Sequence, residues 1–312
     1  MNKITKMFLV IISVASFSLS SAIAGELTVT GGVTATVLTK SGYSNAGRGL
    51  GVSNELDFTA NGELDNGMAW KWQTQLDDAG TVNDDTRLEL TTPYGLVGMY
   101  ISENDISTKL GYGIGAMGVG SDYAGPATLE WGTTMNSYNN VGVQTPAGLL
   151  PAGAVVSFAH APNLSSTQGA SAKAAGAVEV ASVGDAAYSV RVKASPIDGL
   201  SVGADYMTVE GGFAKYEEES GAAFLKYTQG PFTVGAARSL FQEGIATGGA
   251  VGTASFHYET DMYGIQFAVN DALSLSYSEE KSTKVNSQTM SVAAVKADVA
   301  NIETTVKHVQ AA

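Results

Sequence analysis

Gly51-Val-Ser-Asn-Glu-Leu-Asp-Phe-Thr-Ala-Asn-Gly-Glu-Leu-Asp-Asn-Gly-Met-Ala-Trp-Lys-Trp-Gln-Thr-Gln-Leu-Asp-Asp78 contains two alternating runs around a turn signal, Asp65-Asn66-Gly67. Val52, Leu56 and Phe58 share one face of the first run, and Trp70, Trp72 and Leu76 share one face of the second. Period-two alternation on both sides of a turn dipeptide is the signature of a β-hairpin. Successive strand side chains point to opposite faces, so Glu55, Asp57 and Thr59 share the other side and are answered by Lys71, Gln73 and Gln75. The hairpin is oily on one face and densely polar on the other. Alternation alone leaves open whether the oily face meets a protein core or lipid.

The first 24 residues address location. Lys3 and Lys6 give a positive start, Met7 to Leu19 is mostly apolar, and Ala22-Ile23-Ala24 is a small-x-small cleavage signal. This is the pattern of a secretory signal peptide, with Gly25 as the mature start. The apolar run is shorter than the ~20 residues a spanning helix needs, and Ser13, Ser16 and Ser18 dilute it. No later stretch forms an apolar 18-mer, so the processed chain is expected to lack a transmembrane helix.

Composition narrows the class. The chain has no Cys, which excludes thiol catalysis and leaves stability to strand pairing and packing. With 37 glycines and abundant Thr, Ser, Val and Tyr, it suits strands and turns rather than helices. Of 17 basic residues, removal of Lys3 and Lys6 leaves 15 against 30 acidic ones, a mature charge of −15. Nucleic-acid binders carry basic patches, so the charge argues against that partner class. The mature sequence, 25–312, shows no linker and reads as one domain.

The alternation recurs along the chain. Strands are predicted from about Glu26 to Leu38, in the two arms of the hairpin, and over Thr86 to Thr92 and Leu96 to Ser102. After a long irregular stretch they resume at Ala154 to Ala159, Ala187 to Ser195, Leu200 to Val209, Ala222 to Thr228 and Phe232 to Ala237. Thr253 to Glu259 and Tyr263 to Val269 flank Thr260-Asp261-Met262, read as a turn, and Leu273 to Ser278 is the last strand. Short turns (Asp65–Gly67, Pro93–Gly95, Pro196–Gly199, Gln229–Pro231, Asn270–Asp271) alternate with long loops such as Thr39–Gly49, Glu210–Ser220 and Gln242–Ala250. Aromatics including Trp70, Tyr94, Tyr188, Tyr206, Phe232, Tyr263 and Tyr277 fall near strand ends. Short turns at one rim, long loops at the other and aromatic girdles are the marks of a transmembrane β-barrel.

The start Gly25-Glu26-Leu27-Thr28-Val29-Thr30-Gly31-Gly32, the hairpin Glu55 to Gln75, the turn Thr92-Pro93-Tyr94-Gly95-Leu96 and the hairpins that follow resemble the bacterial general porins of the Gram-negative outer membrane. The resemblance covers essentially the whole mature sequence. It implies an all-β fold, a transmembrane antiparallel β-barrel of the 16-stranded porin type, with about 13 to 14 strands present in this chain. It also implies a homotrimer, set among outer-membrane lipid and lipopolysaccharide. A third long loop would fold inward as a constriction, here at about Glu103 to Gly153. Porins of this kind end on an aromatic residue, whereas this chain ends Lys307-His308-Val309-Gln310-Ala311-Ala312, as a porin lacking its last hairpin would.

Other motifs carry less. Gly113-Ile114-Gly115-Ala116-Met117-Gly118 spells G-x-G-x-x-G, but no strand–helix unit surrounds it, so a flexible loop is the plainer reading. His160, His257 and His308 are too scattered for a metal cluster or a Ser-His-Asp arrangement, so the chain does not read as an enzyme; rim or lumen positions are the plainer expectation. No cofactor is implied. Asn83-Asp84-Asp85, Glu103-Asn104-Asp105 and Glu217-Glu218-Glu219 could hold Ca2+ on loops but lack EF-hand spacing and read first as solvated acid runs.

The function these readings favour is passive diffusion of ions and small hydrophilic solutes through a water-filled channel. A substrate-selective channel and a secreted β-rich surface or adhesion protein are the alternatives. Parity puts Lys71, Arg87, Arg191, Lys193 and Lys226 on the polar strand face, and the constriction loop carries Asp105, Asp122 and Glu130. Opposed basic and acidic walls would set a transverse field across the pore. For each charge taken singly, plain solvation is the competing reading.

Overall fold

A computed structural model describes residues 25–37, 50–77, 82–101, 105–106, 135, 139–162, 164–165, 182–184, 186–210, 213–242, 245–246, 255–270, 273–287 and 302–311. The proposed signal peptide, residues 1–24, lies outside them.

The chain divides into two compact units, 1–98 and 99–312, with the boundary inside one strand. In the first unit β1 (Leu27–Val37), β2 (Leu50–Glu63), β3 (Ala69–Asp77) and β4 (Val82–Thr92) pair antiparallel in chain order, and β5 (Gly95–Ile101) carries the chain into the second. In the second unit β6 (Asn140–Gln144), β7 (Val155–Ala161), β10 (Ala186–Ala194), β11 (Leu200–Glu210), β13 (Glu218–Gln229), β14 (Phe232–Gln242), β16 (Ser255–Asn270), β17 (Leu273–Ser287) and β18 (Ile302–Ala311) follow one another edge to edge. Among the described residues the strands of this order number fourteen, within the 13 to 14 expected from the sequence. Two short pairs stand apart, β8 (Leu164–Ser165) with β9 (Ser182–Gly184) and β12 (Phe213–Tyr216) with β15 (Ile245–Ala246).

The strands differ from expectation where the period-two signal is weak. Thr260-Asp261-Met262 is no turn: β16 runs through it, with Thr260 paired to Ser239 and Asp261 to Arg238. Asp261 is accommodated on the sheet because Arg238 stands 3.7 Å away on the neighbouring strand. β6 lies inside the stretch read as one loop from 103 to 153; its five residues, Asn-Val-Gly-Val-Gln, are too few and too glycine-diluted to announce a strand. β17 extends nine residues past Ser278, to Ser287, and β18 is additional. Their outward faces carry Glu279, Lys281, Glu303 and Lys307, so apolar alternation fails there although pairing continues.

Turns behave as their residues demand. Gly67 has φ +79°, and the Leu64–Met68 turn is closed by Leu64 N–H donating to Met68 C=O and Gly67 N–H to Leu64 C=O, both at 2.8 Å. Gly199 has φ +75°, and a Cβ there would fall on the carbonyl oxygen of Thr228, whose N–H bonds to Gly199 C=O at 2.9 Å. Only glycine meets both demands.

The two faces of the sheet are inverted relative to a soluble protein. Outward, large apolar side chains are exposed: Val33 at 74%, Leu225 at 50%, Ile265 at 45%. On the opposite face, Ser239, Thr260 and Ser278 are buried. A long, regular apolar face left open to the surroundings is what a lipid-facing sheet presents. One polar pair on it is internally satisfied: Thr74 and Thr86 share a 2.8 Å hydrogen bond between β3 and β4. On β14, β16, β17 and β18 the outward face turns charged toward the long-loop end, where Arg238–Glu259 (2.6 Å), Lys281–Glu303 (2.9 Å) and Lys307–Glu279 (3.3 Å) bridge neighbouring strands.

Candidate functional site

The candidate site is the polar face, taken unit by unit. In the first unit the register brings Asp57 opposite Gln75, Gln73 opposite Arg87 and Lys71 opposite Glu89. Gln73 Nε2 donates to Asp57 Oδ1 at 3.0 Å, and Gln75 Nε2 donates to the same oxygen at 3.3 Å. Arg87 Nη2 donates to Gln73 Oε1. Asp57 and Arg87 are thereby joined through the amide of Gln73 across three strands. The pattern exists because every second residue of β2, β3 and β4 falls on this face and each offers a group that can bond sideways.

In the second unit Arg191 and Lys193 of β10, Asp205 of β11 and Lys226 of β13 share the polar face by register. Arg191 stands directly opposite Asp205, with Nη2 3.4 Å from Oδ2 and both side chains mostly buried. Asp205 also accepts from the backbone N–H of Ala222 on β13 and lies within the field of Asp105. Lys193 is within the field of both Arg191 and Lys226. On the other side of Arg191 its strand partner is Ser157, whose hydroxyl accepts from Gln144 Nε2 at 2.9 Å; the same nitrogen donates to Ile106 C=O at 3.3 Å. One lateral row therefore runs from Ile106 through Gln144 and Ser157 to Arg191 and Asp205. Further along the face, Glu280 is buried, and Lys284 Nζ lies 5.3 Å from the centre of the Tyr258 ring.

Of the residues singled out from sequence, Lys71 and Arg87 stand on the polar face of the first unit, and Arg191, Lys193 and Lys226 on that of the second, with Asp105 in electrostatic reach of their wall. Asp122 and Glu130 lie outside the described residues. Asp205, Gln144, Glu280 and Lys284 were missed. Asp205 was legible by the same parity that marked Arg191, since it alternates with Gly203 and Met207 on β11. Glu280 and Lys284 were hidden by ending the last strand at Ser278.

His160 and His257 stand on the outward face rather than in a lumen. His160 stacks on Tyr188 at 4.6 Å with Nδ1 donating to Ala187 C=O, and His257 sits 3.4 Å from Glu259. Among the described residues no group of three or more His, Asp or Glu is placed to hold a metal ion.

No family model and no curated protein matches this chain. Solved structures do. OmpT folded in vitro, an outer membrane protein of Vibrio cholerae, aligns over 94% of this chain and 83% of its own with a TM-score of 0.51 at 12% identity. A porin refined at 1.8 Å resolution aligns over 83% of this chain and 88% of its own, TM-score 0.51, 11% identity. The chain has the porin fold. An anion-selective porin from Comamonas acidovorans aligns over 83% of each chain at 14% identity and TM-score 0.49. The porin fold is an all-β, transmembrane antiparallel barrel, and it accounts for the exposed apolar face: in lipid, spanning strands must pair their backbone and turn apolar side chains outward.

Proposed function

We propose that this protein is an outer-membrane porin, a water-filled channel through which ions and small hydrophilic solutes diffuse passively. The observation that carries the reading is the segregation of faces: Val190, Val192, Leu225 and Ile265 are exposed outward, while Arg191, Lys193, Asp205 and Lys226 share the opposite face. Charges so placed line water and set the field through which solutes pass. The sequence supports export by a signal peptide at residues 1–24, and the family resemblance supports a homotrimer in contact with outer-membrane lipid and lipopolysaccharide. The mature charge of −15 supports a modest preference for cations.

A constriction formed by the stretch after β5 is part of the same proposal. Both described ends of that stretch support it: Ile106 and Met135 are buried, held by Gln144 and by Asn140 Nδ2 donating to Met135 C=O at 3.4 Å. Single-channel recording in planar bilayers tests the whole reading. Stepwise conductance that is ohmic and rises on excision of residues 111–125 is the expected result. Absence of any conductance from correctly folded, membrane-inserted protein would overturn the channel reading. An unchanged conductance after the excision would remove the constriction alone.

A further inference from the structure

Asp205 is an acid set between basic residues of the polar face. Arg191, Lys193 and Lys226 concentrate three positive charges on β10 and β13, and Asp205, on the strand between, meets the first of them at 3.4 Å. Its carboxylate is fixed from two directions, by the guanidinium of Arg191 and by the N–H of Ala222, so it cannot swing away from the wall without breaking both contacts. On β7 the register partner of Arg191 is Ser157, the hydroxyl of which is tied to Gln144. A rigid acid in this position does one electrostatic thing: it cancels about one positive charge where the wall is most basic.

From this we infer that Asp205 is a selectivity-determining residue of the channel, the counter-charge that weakens the pull of Arg191, Lys193 and Lys226 on anions. The inference rests on the channel reading above and adds to it which side chain tunes the preference. With Asp205 in place, the four groups Arg191, Lys193, Lys226 and Asp205 sum to two positive charges, and without it to three, with Asp105 acting on them in both cases. Because all four groups lie on three neighbouring strands of one unit, the effect is local and does not depend on the −15 of the whole mature chain.

The test is the reversal potential of the full-length protein in planar bilayers under a KCl gradient, with folding checked by the mobility difference between unheated and heated samples on gels. Asp205→Asn is expected to lower the potassium-to-chloride permeability ratio by a factor of about two or more, and Asp205→Glu to hold it near wild type. Arg191→Gln, which leaves the acid uncompensated, is expected to raise the ratio, and the double substitution to return it toward wild type. A purely structural role for the pair would change folding or open probability and leave the ratio alone. Folded Asp205→Asn protein that conducts with the wild-type ratio would overturn the inference and leave the channel reading intact. Should Asp205→Asn fail to fold, Arg191→Gln decides: a ratio unchanged from wild type would overturn the inference equally.

Discussion

Arg87 and Arg191 both stand on polar faces, yet each meets its acid differently. Arg191 touches Asp205 directly at 3.4 Å, whereas Arg87 reaches Asp57 only through the side-chain amide of Gln73. A direct pair cancels charge at the spot. A relay satisfies hydrogen bonds while leaving the positive and negative ends one side chain apart, so the wall of the first unit keeps a charge gradient that the wall of the second has partly quenched. The same period-two chemistry thus builds two different electrostatic surfaces, and the element that decides is whether the cross-strand partner is a carboxylate or an amide.

The comparison assumes that both walls face water, and a charge on the opposite face breaks that assumption most severely. Leu225→Lys puts an ammonium on the exposed apolar face of β13 and is expected to cost ~2–4 kcal/mol, read as loss of the folded gel band and a lower urea midpoint in lipid. Thr228→Lys, on the polar face of the same strand, should leave folding near wild type. Equal damage from both would mean the faces are misassigned.

Next in size is the relay. Gln73→Leu leaves Arg87 without its amide acceptor and deprives Asp57 of one of two donors, for an expected loss of ~1–3 kcal/mol in the same urea titration. Gln73→Glu gives Arg87 a carboxylate partner directly, while it takes the amide donor from Asp57 and sets two carboxylates side by side. The potassium-to-chloride permeability ratio of the folded protein should rise by up to about twofold, with a lower urea midpoint than wild type. A ratio that does not move would mean that Arg87 contributes nothing to the pore field.

The smallest effect is expected at the outward charged row. Arg238 bridges Glu259 and Asp261 but is 56% exposed, and surface pairs of this kind are worth ~0–1 kcal/mol. Arg238→Ala should lower stability by no more than that and leave conductance and ion preference unchanged. A shift in ion preference would show that this face communicates with the channel.

Most of the fold was legible because alternation reports directly on a two-faced sheet. The hairpin is the clearest instance: Asp57 and Gln75, Thr59 and Gln73 stand opposite each other as parity required, around a turn closed at Gly67. Reading failed where the outward face stopped being apolar. β16 was split at Asp261, and β17 was cut short at Ser278, because Glu259, Asp261, Glu279 and Lys281 interrupt the oily period while strand pairing runs on. Their charges answer one another across strands, with Arg238 and with Glu303, and that compensation has no signature within any single segment.

The strand-and-turn class, the oily and polar faces, and the polar-face parity of Lys71, Arg87, Arg191, Lys193 and Lys226 follow from the sequence alone, because each rests on residues one or two positions apart. Cross-strand register lies beyond that reach. It was the tertiary structure that put Asp205, fourteen residues on, opposite Arg191, that placed Gln73 between Asp57 and Arg87, and that carried β16 unbroken past Asp261. Which side chains share a face is a local property of the backbone; which of them touch is fixed only when separate strands pair and every group on both must find its partner at once.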